Sequence, residues 1–227
     1  PLADQASIPA SPPHTLPLLD HTLAAVNHLA ALVDRIISGE PADGSAWWVT
    51  HVVEQLSQFS NKIKAYFSEE VTPGRSKRGL VLLGTLLHDI GKPRTMKSGK
   101  DERLHYYGHA REGAEMAWET ARHLRLSNAE ASWLQTMVRR HMDLLPMINQ
   151  KEPLSRQAIY RYFQKTGDVG VAIALLSLAD TLATYGEDIS REQWKAAVHV
   201  TRGLLLAWWD LQKAVVSPEL FLNGDDL

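Results

Sequence analysis

The chain has 227 residues, of which 44% are hydrophobic and 22% charged, which supports a sizeable packed core and excludes a disordered chain. The 24 Lys and Arg residues against 26 Asp and Glu residues leave a formal charge of −2, which excludes a dominant polybasic surface, so no DNA partner is expected. Because the sequence has no Cys, disulfides, thiolate metal sites and Cys nucleophiles are also excluded.

The apolar runs are too short to span a membrane. The longest, Leu80 to Leu87 and Val169 to Leu178, fall well below the ~20 residues that a spanning helix needs. No basic segment leads into an apolar one at the start, so no signal peptide is predicted. We therefore expect a soluble, cytoplasmic protein without a membrane partner. The missing initiating Met and the turn-like residues 223–227 predict a piece of a longer protein.

The predicted elements are helices. Residues 1–17 are predicted to be an extended leader, because their prolines disfavour a regular helix. From Leu18, apolar residues recur every three or four positions and predict a helix that ends near Gly39. The same periodicity predicts further helices over 45–68, 77–90, 108–125, 128–142, 155–165, 168–185 and 190–213. Alternating β-branched stretches are rare, so the predicted fold class is all-α.

The adjacent pair His88-Asp89 is the most informative motif. It lies at the end of an apolar predicted helix, where both side chains are costly to bury unless something compensates. A cation bound by both is one compensation, and mixed nitrogen and oxygen ligands favour manganese, iron, cobalt, nickel or zinc. Two ligands are too few for a metal site, so the others must come from distant helices.

Four other residues are candidate ligands, namely His21, His109, His141 and Asp180. Asp180 follows an apolar segment in which a carboxylate is expensive unless it is paired, so a ligand and a structural group are equally good interpretations. A single His on a helix is more often an ordinary surface or core group than a ligand, and each His keeps that alternative. The sequence lacks a phosphate-binding P-loop, a serine-hydrolase elbow and a His-Glu-x-x-His zinc motif.

These residues resemble a known signature. His21, then His88-Asp89 followed by Ile-Gly-Lys-Pro, then Asp180, resemble in their order the H…HD…D signature of the HD superfamily of metal-dependent phosphohydrolases. Other segments look like the HD module attached to bacterial poly(A) polymerases and CCA-adding tRNA nucleotidyltransferases: residues 107–114, 124–127, 138–142 and 222–227. The nucleotidyltransferase head itself is absent from this sequence, so nucleotidyl transfer is not expected from this chain alone.

The resemblance implies a domain organisation and a ligand set. It implies an HD-domain helical bundle over residues 18–185 with a metal site in its centre, followed over 186–227 by a C-terminal helix and the start of a link to a missing downstream domain. One or two divalent ions (Mn, Ni, Fe, Co, Zn or Mg) are implied. The first would be held by His21, His88, Asp89 and Asp180, and a second by His109 and His141, with Asp89 bridging.

The implied activity is hydrolysis of a phosphoester. Attack by a metal-bound hydroxide would make the chain a phosphomonoesterase or phosphodiesterase acting on a nucleotide or an RNA end. Asp89 and Lys92 are the predicted catalytic residues, and Lys92, Arg94 and Arg140 are predicted to bind substrate phosphate. For Lys92, a plain interaction with a helix dipole is an equal alternative.

Two further interpretations accompany this one. Four tyrosines are candidates to stack on a base: Tyr106, Tyr107, Tyr160 and Tyr162. For Tyr160 and Tyr162, packing of the helix that carries them is the simpler explanation. The alternative function is a catalytically silent HD scaffold, or a nucleotide-sensing module, that assists RNA binding by a polymerase head in the parent protein. Retention of all six candidate ligands argues against a decayed site.

Overall fold

The computed structural model describes residues 2–99, 104–150 and 154–216, and these are mostly helical, which confirms the all-α prediction. The helices are α1 (Leu2–Gln5), α2 (Leu18–Ser38), α3 (Trp47–Leu56), α4 (Ser60–Ser68), α5 (Lys77–Leu87), α6 (Lys92–Thr95), α7 (His109–His123), α8 (Asn128–Arg140), α9 (Leu145–Asn149), α10 (Arg156–Thr166), α11 (Val169–Tyr185) and α12 (Arg191–Asp210). Short 3₁₀ or π turns cover Ser57–Phe59, His141–Leu144, Gly186–Asp188 and Gln212–Val216.

Two small antiparallel ladders interrupt the helices. Strand β1 (Glu70–Thr72) pairs with β2 (Arg75–Ser76), and β3 (Lys97–Ser98) pairs with β4 (Leu104–His105). Both ladders lie between predicted helices, the first between 45–68 and 77–90 and the second between 77–90 and 108–125. Ladders of two or three residues are too short to show alternation, so no period-2 pattern marks them.

Two predicted elements differ from the structure. The helix predicted over 45–68 is broken at the Ser57–Phe59 turn into α3 and α4. Leu56, Phe59 and Ile63 are all buried there, and the serines around the break are weak helix formers, so packing can shift the helix axis at little cost. The leader is not wholly extended, because α1 forms ahead of Pro9 and Ile8 is buried. Of the predicted C-terminal helix and link over 186–227, the structure describes the part up to Val216. Residues 222–227, which carried part of the resemblance, lie outside the described residues.

Helix α11 is the centre of the core. Its side chains are buried on nearly every face, as expected for a helix that is apolar all round, and it packs mainly against α2 and α12.

None of the described helices alone is long and apolar enough to cross a membrane. Helices α10 and α11 pass that test only as a pair, and a 107° bend separates them.

Helices α7 and α8 form the most extensive contact between two elements and bring two candidate ligands together. A connection of only four residues, 124–127, joins the two helices, which makes them antiparallel neighbours. The first residue of α7 is His109, and His141 directly follows the last residue of α8. The hairpin geometry therefore places these two histidines at the same end of the pair.

A capping box begins α8. The Ser127 Oγ accepts a hydrogen bond from the Glu130 backbone N–H at 3.2 Å, and the Glu130 carboxylate accepts one from the Ser127 backbone N–H at 2.7 Å. We expect Ser127→Ala to lower the free energy of unfolding by about 1 kcal/mol, because a helix N–H loses its acceptor. Urea unfolding followed by circular dichroism measures this. Ser132→Ala, on the exposed face of the same helix, should not destabilise the protein, and equal losses in both variants would contradict the capping role.

Candidate metal centre

Three candidate ligands from α2, the end of α5 and α11 form the first group. The His21 Nε2 atom lies 3.0 Å from the Asp180 Oδ1 atom, and the His88 Nε2 atom lies 3.4 Å from the same oxygen. Both histidines are completely buried, whereas the side chain of Asp180 is 30% exposed. Ligands that each sit about 2.0–2.2 Å from one ion are at most about 4.4 Å apart, so the spacing of this group suits a metal.

Asp89 connects this group to a second one. Its Oδ2 atom lies 3.3 Å from His88 Nε2 and 3.7 Å from His21 Nε2. Its Oδ1 atom lies 3.5 Å from His109 Nε2 and 3.6 Å from His141 Nε2. The structure therefore brings all six predicted ligands into one cluster, with a different oxygen of Asp89 facing each group.

Backbone carbonyls orient three of the four histidine rings. The Nδ1 atoms of His88, His109 and His141 each lie 2.7 or 2.8 Å from the carbonyl oxygen of the residue three positions earlier. A carbonyl can only accept, so each Nδ1 carries a proton, and Nε2 is the nitrogen of each ring that faces the cluster and can bind a cation when it carries no proton. In metal proteins, a hydrogen bond from the ring nitrogen that does not bind the metal fixes the orientation of an imidazole ligand in the same way.

Several buried polar atoms fit a bound cation. Among the described residues, His88 Nε2, Asp180 Oδ1 and both ring nitrogens of His21 have no hydrogen-bond partner of acceptable geometry. The Nε2 atoms of His109 and His141 lie 3.2 Å apart. Unsatisfied buried acceptors are costly, and a cation held between them would remove that cost. The donor set of imidazoles and carboxylates fits a borderline divalent metal.

Charge states in the cluster also favour a cation. Burial alone would raise the pKa of the Asp89 carboxyl, but Lys92 and His88 hold it well below its usual range. Burial acts in the same direction on Asp180, yet the adjacent His21 and His88 rings hold the pKa of its carboxyl well below its usual range. Burial lowers the pKa of His109 to about 4, so this ring is neutral at pH 7. Anionic carboxylates and neutral imidazoles are the forms that bind metals.

His88 behaves differently from His109. Burial would lower its pKa, but the carboxylates of Asp89 and Asp180 outweigh burial and raise the pKa to about 10. The imidazolium is thus one of the positive charges, together with Lys92, that balance the buried Asp89 and the partly exposed Asp180 carboxylates. A divalent cation at this point would take over that charge balance and displace the proton.

Lys92 lies beside the cluster. It is buried, with its Nζ atom 2.5 Å from Asp89 Oδ2 and 5.5 Å from the centre of the Tyr106 ring. His14, which no sequence pattern marked as a site residue, also lies here: its Nε2 atom is 3.2 Å from Lys92 Nζ, and its ring packs edge-on against His21 at 4.5 Å. Burial, then the Lys92 charge, lowers the pKa of His14 to about 4, so a neutral ring accepts a hydrogen bond from the ammonium.

A cavity of about 560 Å³ opens onto the cluster. Three of the six predicted ligands line it, Asp89, His109 and Asp180, and so does Lys92. One wall comes from the leader, at residues 11–14, and other walls come from segment 104–109 and the end of α11. The remaining histidines of the cluster are buried behind these groups.

Two predicted phosphate-binding residues lie elsewhere. Arg94 is on the surface, where it pairs with Glu112 at 2.9 Å. Arg140 lies 3.5 Å from Asp143. Among the described residues that line the cavity, neither arginine is present. A position next to a motif in sequence does not determine the direction of a long side chain.

Comparison with known proteins agrees with this geometry. A family model described as the HD domain matches residues 49–192, more than half of the chain. The CC-adding tRNA nucleotidyltransferase of Thermus thermophilus is 36% identical over 114 residues, which cover 50% of this chain and 24% of that protein. The A-adding tRNA nucleotidyltransferase of Deinococcus radiodurans is 32% identical over 149 residues, which cover 65% of this chain and 32% of that protein.

The matched part of the chain thus spans about a quarter to a third of the length of these relatives. The family match includes the His88-Asp89 pair and Asp180, and it begins after His21. Members of this family hold divalent metals, and the clustered His and Asp side chains provide groups that could hold one here. The helical architecture, the order of the motifs and the matched region together establish that the chain belongs to the HD domain family.

Proposed function

We propose that the chain is a divalent-metal-dependent phosphohydrolase, a phosphomonoesterase or phosphodiesterase that acts on a nucleotide or an RNA-end phosphoester. The observation that carries this proposal is the convergence of six His and Asp side chains, with Lys92, at one end of an open cavity. A buried cluster that served only to stabilise the fold would not need to open onto a cavity large enough for a small-molecule ligand.

The six clustered side chains would bind the metal ions. His21, His88 and Asp180 would hold one ion, His109 and His141 would contribute to a second, and Asp89 would bridge them. A divalent ion held by these residues would supply a lower pKa for water and charge neutralisation for a phosphoryl oxygen. The Nδ1 bonds of the histidines to backbone carbonyls keep the ligand nitrogens aimed at the cluster, which reduces reorganisation on binding.

Lys92 places an ammonium group directly beside the cluster, 2.5 Å from Asp89 Oδ2. Its ammonium lines the cavity between Asp89 and His14, where it can attract a phosphoryl oxygen. Asp89 and Lys92 are therefore the proposed catalytic pair. Arg94 and Arg140 would meet phosphate only on a substrate that extends beyond the cavity, as an RNA strand does.

The substrate class follows from two kinds of support. The two relatives are named for adding nucleotides to tRNA, which makes RNA a reasonable partner of the parent protein. The cavity volume of about 560 Å³ suits a nucleotide-sized ligand. A 2′,3′-cyclic phosphate or a phosphorylated RNA end is the proposed phosphoester.

Metal add-back tests the proposal. The metal-stripped chain is supplied separately with manganese, nickel, cobalt, iron, zinc or magnesium, and hydrolysis of 2′,3′-cyclic AMP is measured. We expect turnover with at least one metal and none in the double variant His88→Ala, Asp89→Ala, because both groups of ligands then lose members. A double variant of exposed residues, His123→Ala with Asp34→Ala, should keep the wild-type rate.

One outcome would favour the alternative function. The names of the two relatives describe nucleotide transfer and not hydrolysis, which agrees with an HD module that senses a nucleotide or supports RNA binding. Stoichiometric metal binding without turnover of cyclic nucleotides, mononucleotides or phosphorylated RNA ends would overturn the phosphohydrolase proposal in favour of that role.

A further inference from the structure

The cavity has two chemically different parts. Asp89 and Lys92 line it although they are only 2% and 6% exposed, so together with the adjacent Asp180 they form its charged floor. Its walls are largely aromatic and aliphatic, with contributions from Leu104, Tyr106, Tyr107, Met142, Leu145 and Tyr185. A phosphate group alone would occupy only the floor. Walls of this kind suit a ligand in which a phosphate is joined to a flat, weakly polar group.

Tyr107 is the most exposed of the large apolar side chains in the described part of the chain, at 83%. Its ring lies parallel to the ring of His105, with an interplanar angle of 11° and centroids 5.4 Å apart. A ring this exposed adds little to the hydrophobic core. One of its faces is supported by His105, and most of its surface remains accessible to a second flat ring.

The backbone connects this ring to the floor of the cavity. Tyr107 is two residues from His109, so their Cα atoms are at most about 7 Å apart. The intervening Gly108 has a φ of +83°, which a residue with a side chain rarely adopts and which turns the chain into α7. The neighbouring Tyr106 accepts the Nδ1 hydrogen bond of His109 through its carbonyl oxygen. One short turn therefore holds both the exposed ring and a member of the metal cluster.

We propose that Tyr107, backed by His105, is a stacking platform for a nucleobase and is the residue that makes the site specific for nucleoside phosphates. The inference rests on the proposed phosphohydrolase function and narrows its substrate class. An unpaired base on a mononucleotide or a strand end would stack on Tyr107 while its phosphate reaches Lys92 and the metal cluster. Phosphorylated sugars and inorganic phosphate lack the ring and would forgo this contact.

Two other tyrosines do not fit this role. Tyr162 is only 2% exposed, and its hydroxyl donates a hydrogen bond to the Gly170 carbonyl oxygen at 2.7 Å, so it is a core residue. Tyr160 is 39% exposed on α10 and is absent from the described lining of the cavity. Tyr160→Ala is therefore a matched control for Tyr107→Ala.

The test compares three ligands that separate the base from the phosphate. Affinities of AMP, ribose 5-phosphate and adenosine for the manganese-loaded chain are measured by equilibrium dialysis. We expect Tyr107→Ala to weaken AMP and adenosine by about tenfold or more, because base stacking on an aromatic ring is lost. Ribose 5-phosphate should bind unchanged. Tyr107→Phe and Tyr107→Trp should retain AMP affinity, and Tyr160→Ala should leave all three affinities unchanged.

The outcomes distinguish this inference from the proposed function. Equal affinity of the wild-type chain for AMP and ribose 5-phosphate, or an equal loss of both in Tyr107→Ala, would overturn the platform. If AMP binds no more tightly than adenosine while both affinities still depend on Tyr107, the platform is supported and the phosphohydrolase proposal is the one that fails, because the phosphate then gains nothing from Lys92 and the metal.

Discussion

Asp89→Asn should abolish metal-dependent hydrolysis and weaken metal binding by more than about 100-fold. Asp89 is buried, and its two oxygens face different groups of histidines, at 3.3 Å from His88 and 3.5 Å from His109. The amide removes the negative charge and turns one of the two oxygens into an NH₂ group that cannot bind a cation. Both proposed ion positions are therefore affected by a single substitution. Metal content after dialysis and the hydrolysis rate together measure the effect.

Asp34→Asn is the matched control for this substitution. Asp34 is exposed and forms a two-point ion pair with Arg78 on the surface, at 2.8 and 3.0 Å, so its loss should leave metal content and rate unchanged. Circular dichroism checks that Asp89→Asn remains folded. A folded Asp89→Asn protein that still binds metal with wild-type stoichiometry would contradict the bridging role of Asp89.

Gly91→Ala should destabilise the protein by about 1–3 kcal/mol and weaken metal binding. A Cβ atom at Gly91 would collide with the His109 carbonyl oxygen and would lie 2.6 Å from the Gly113 backbone nitrogen. These are backbone atoms of α7, so no side chain can rotate away to make room. Helix α7 must shift, and His109 moves with it. Thermal unfolding and metal titration measure the two effects.

Gly79→Ala separates this steric effect from the general effect of replacing a glycine. Gly79 lies in α5, and a Cβ atom there would meet no heavy atom within 4 Å. Alanine favours helix more than glycine does, so we expect this variant to be more stable by about 0.5–1 kcal/mol. A Gly91→Ala protein with wild-type stability and metal affinity would show that the close approach of α7 is not required.

Much of the fold was predictable from hydrophobic spacing, because the periodicity of three and four residues is strong wherever a helix faces the core. The predicted helix over 18–39 corresponds to α2, and the one over 168–185 corresponds to α11. Helix ends and interruptions were predicted less well. The break between α3 and α4 depends on which side chains the neighbouring helices bury, and that information is not local in the sequence.

The candidate site was predictable only in part from the residues themselves. The pair His88-Asp89 and the isolated Asp180 stood out because a buried carboxylate is costly. His21, His109 and His141 became stronger candidates only through the family resemblance. The structure brings all six candidate ligands together, and their binding of a metal stays a prediction. His14 was missed because no local pattern distinguishes a histidine in a proline-rich segment. Its role depends on how that segment folds back over α6 and α11.

The packing of α2 sets the size of the smallest unit that could work independently. The HD family match begins at residue 49, after both the leader and α2. A chain trimmed to residues 49–192 would leave Asp180 without His21, and it would expose the face of α11 that α2 covers with its own buried residues, among them Leu29 and Val33. Each such side chain is worth about 1.5–3 kcal/mol of burial. We therefore expect the smallest stable unit to be larger than the region that the family model matches and to begin before α2.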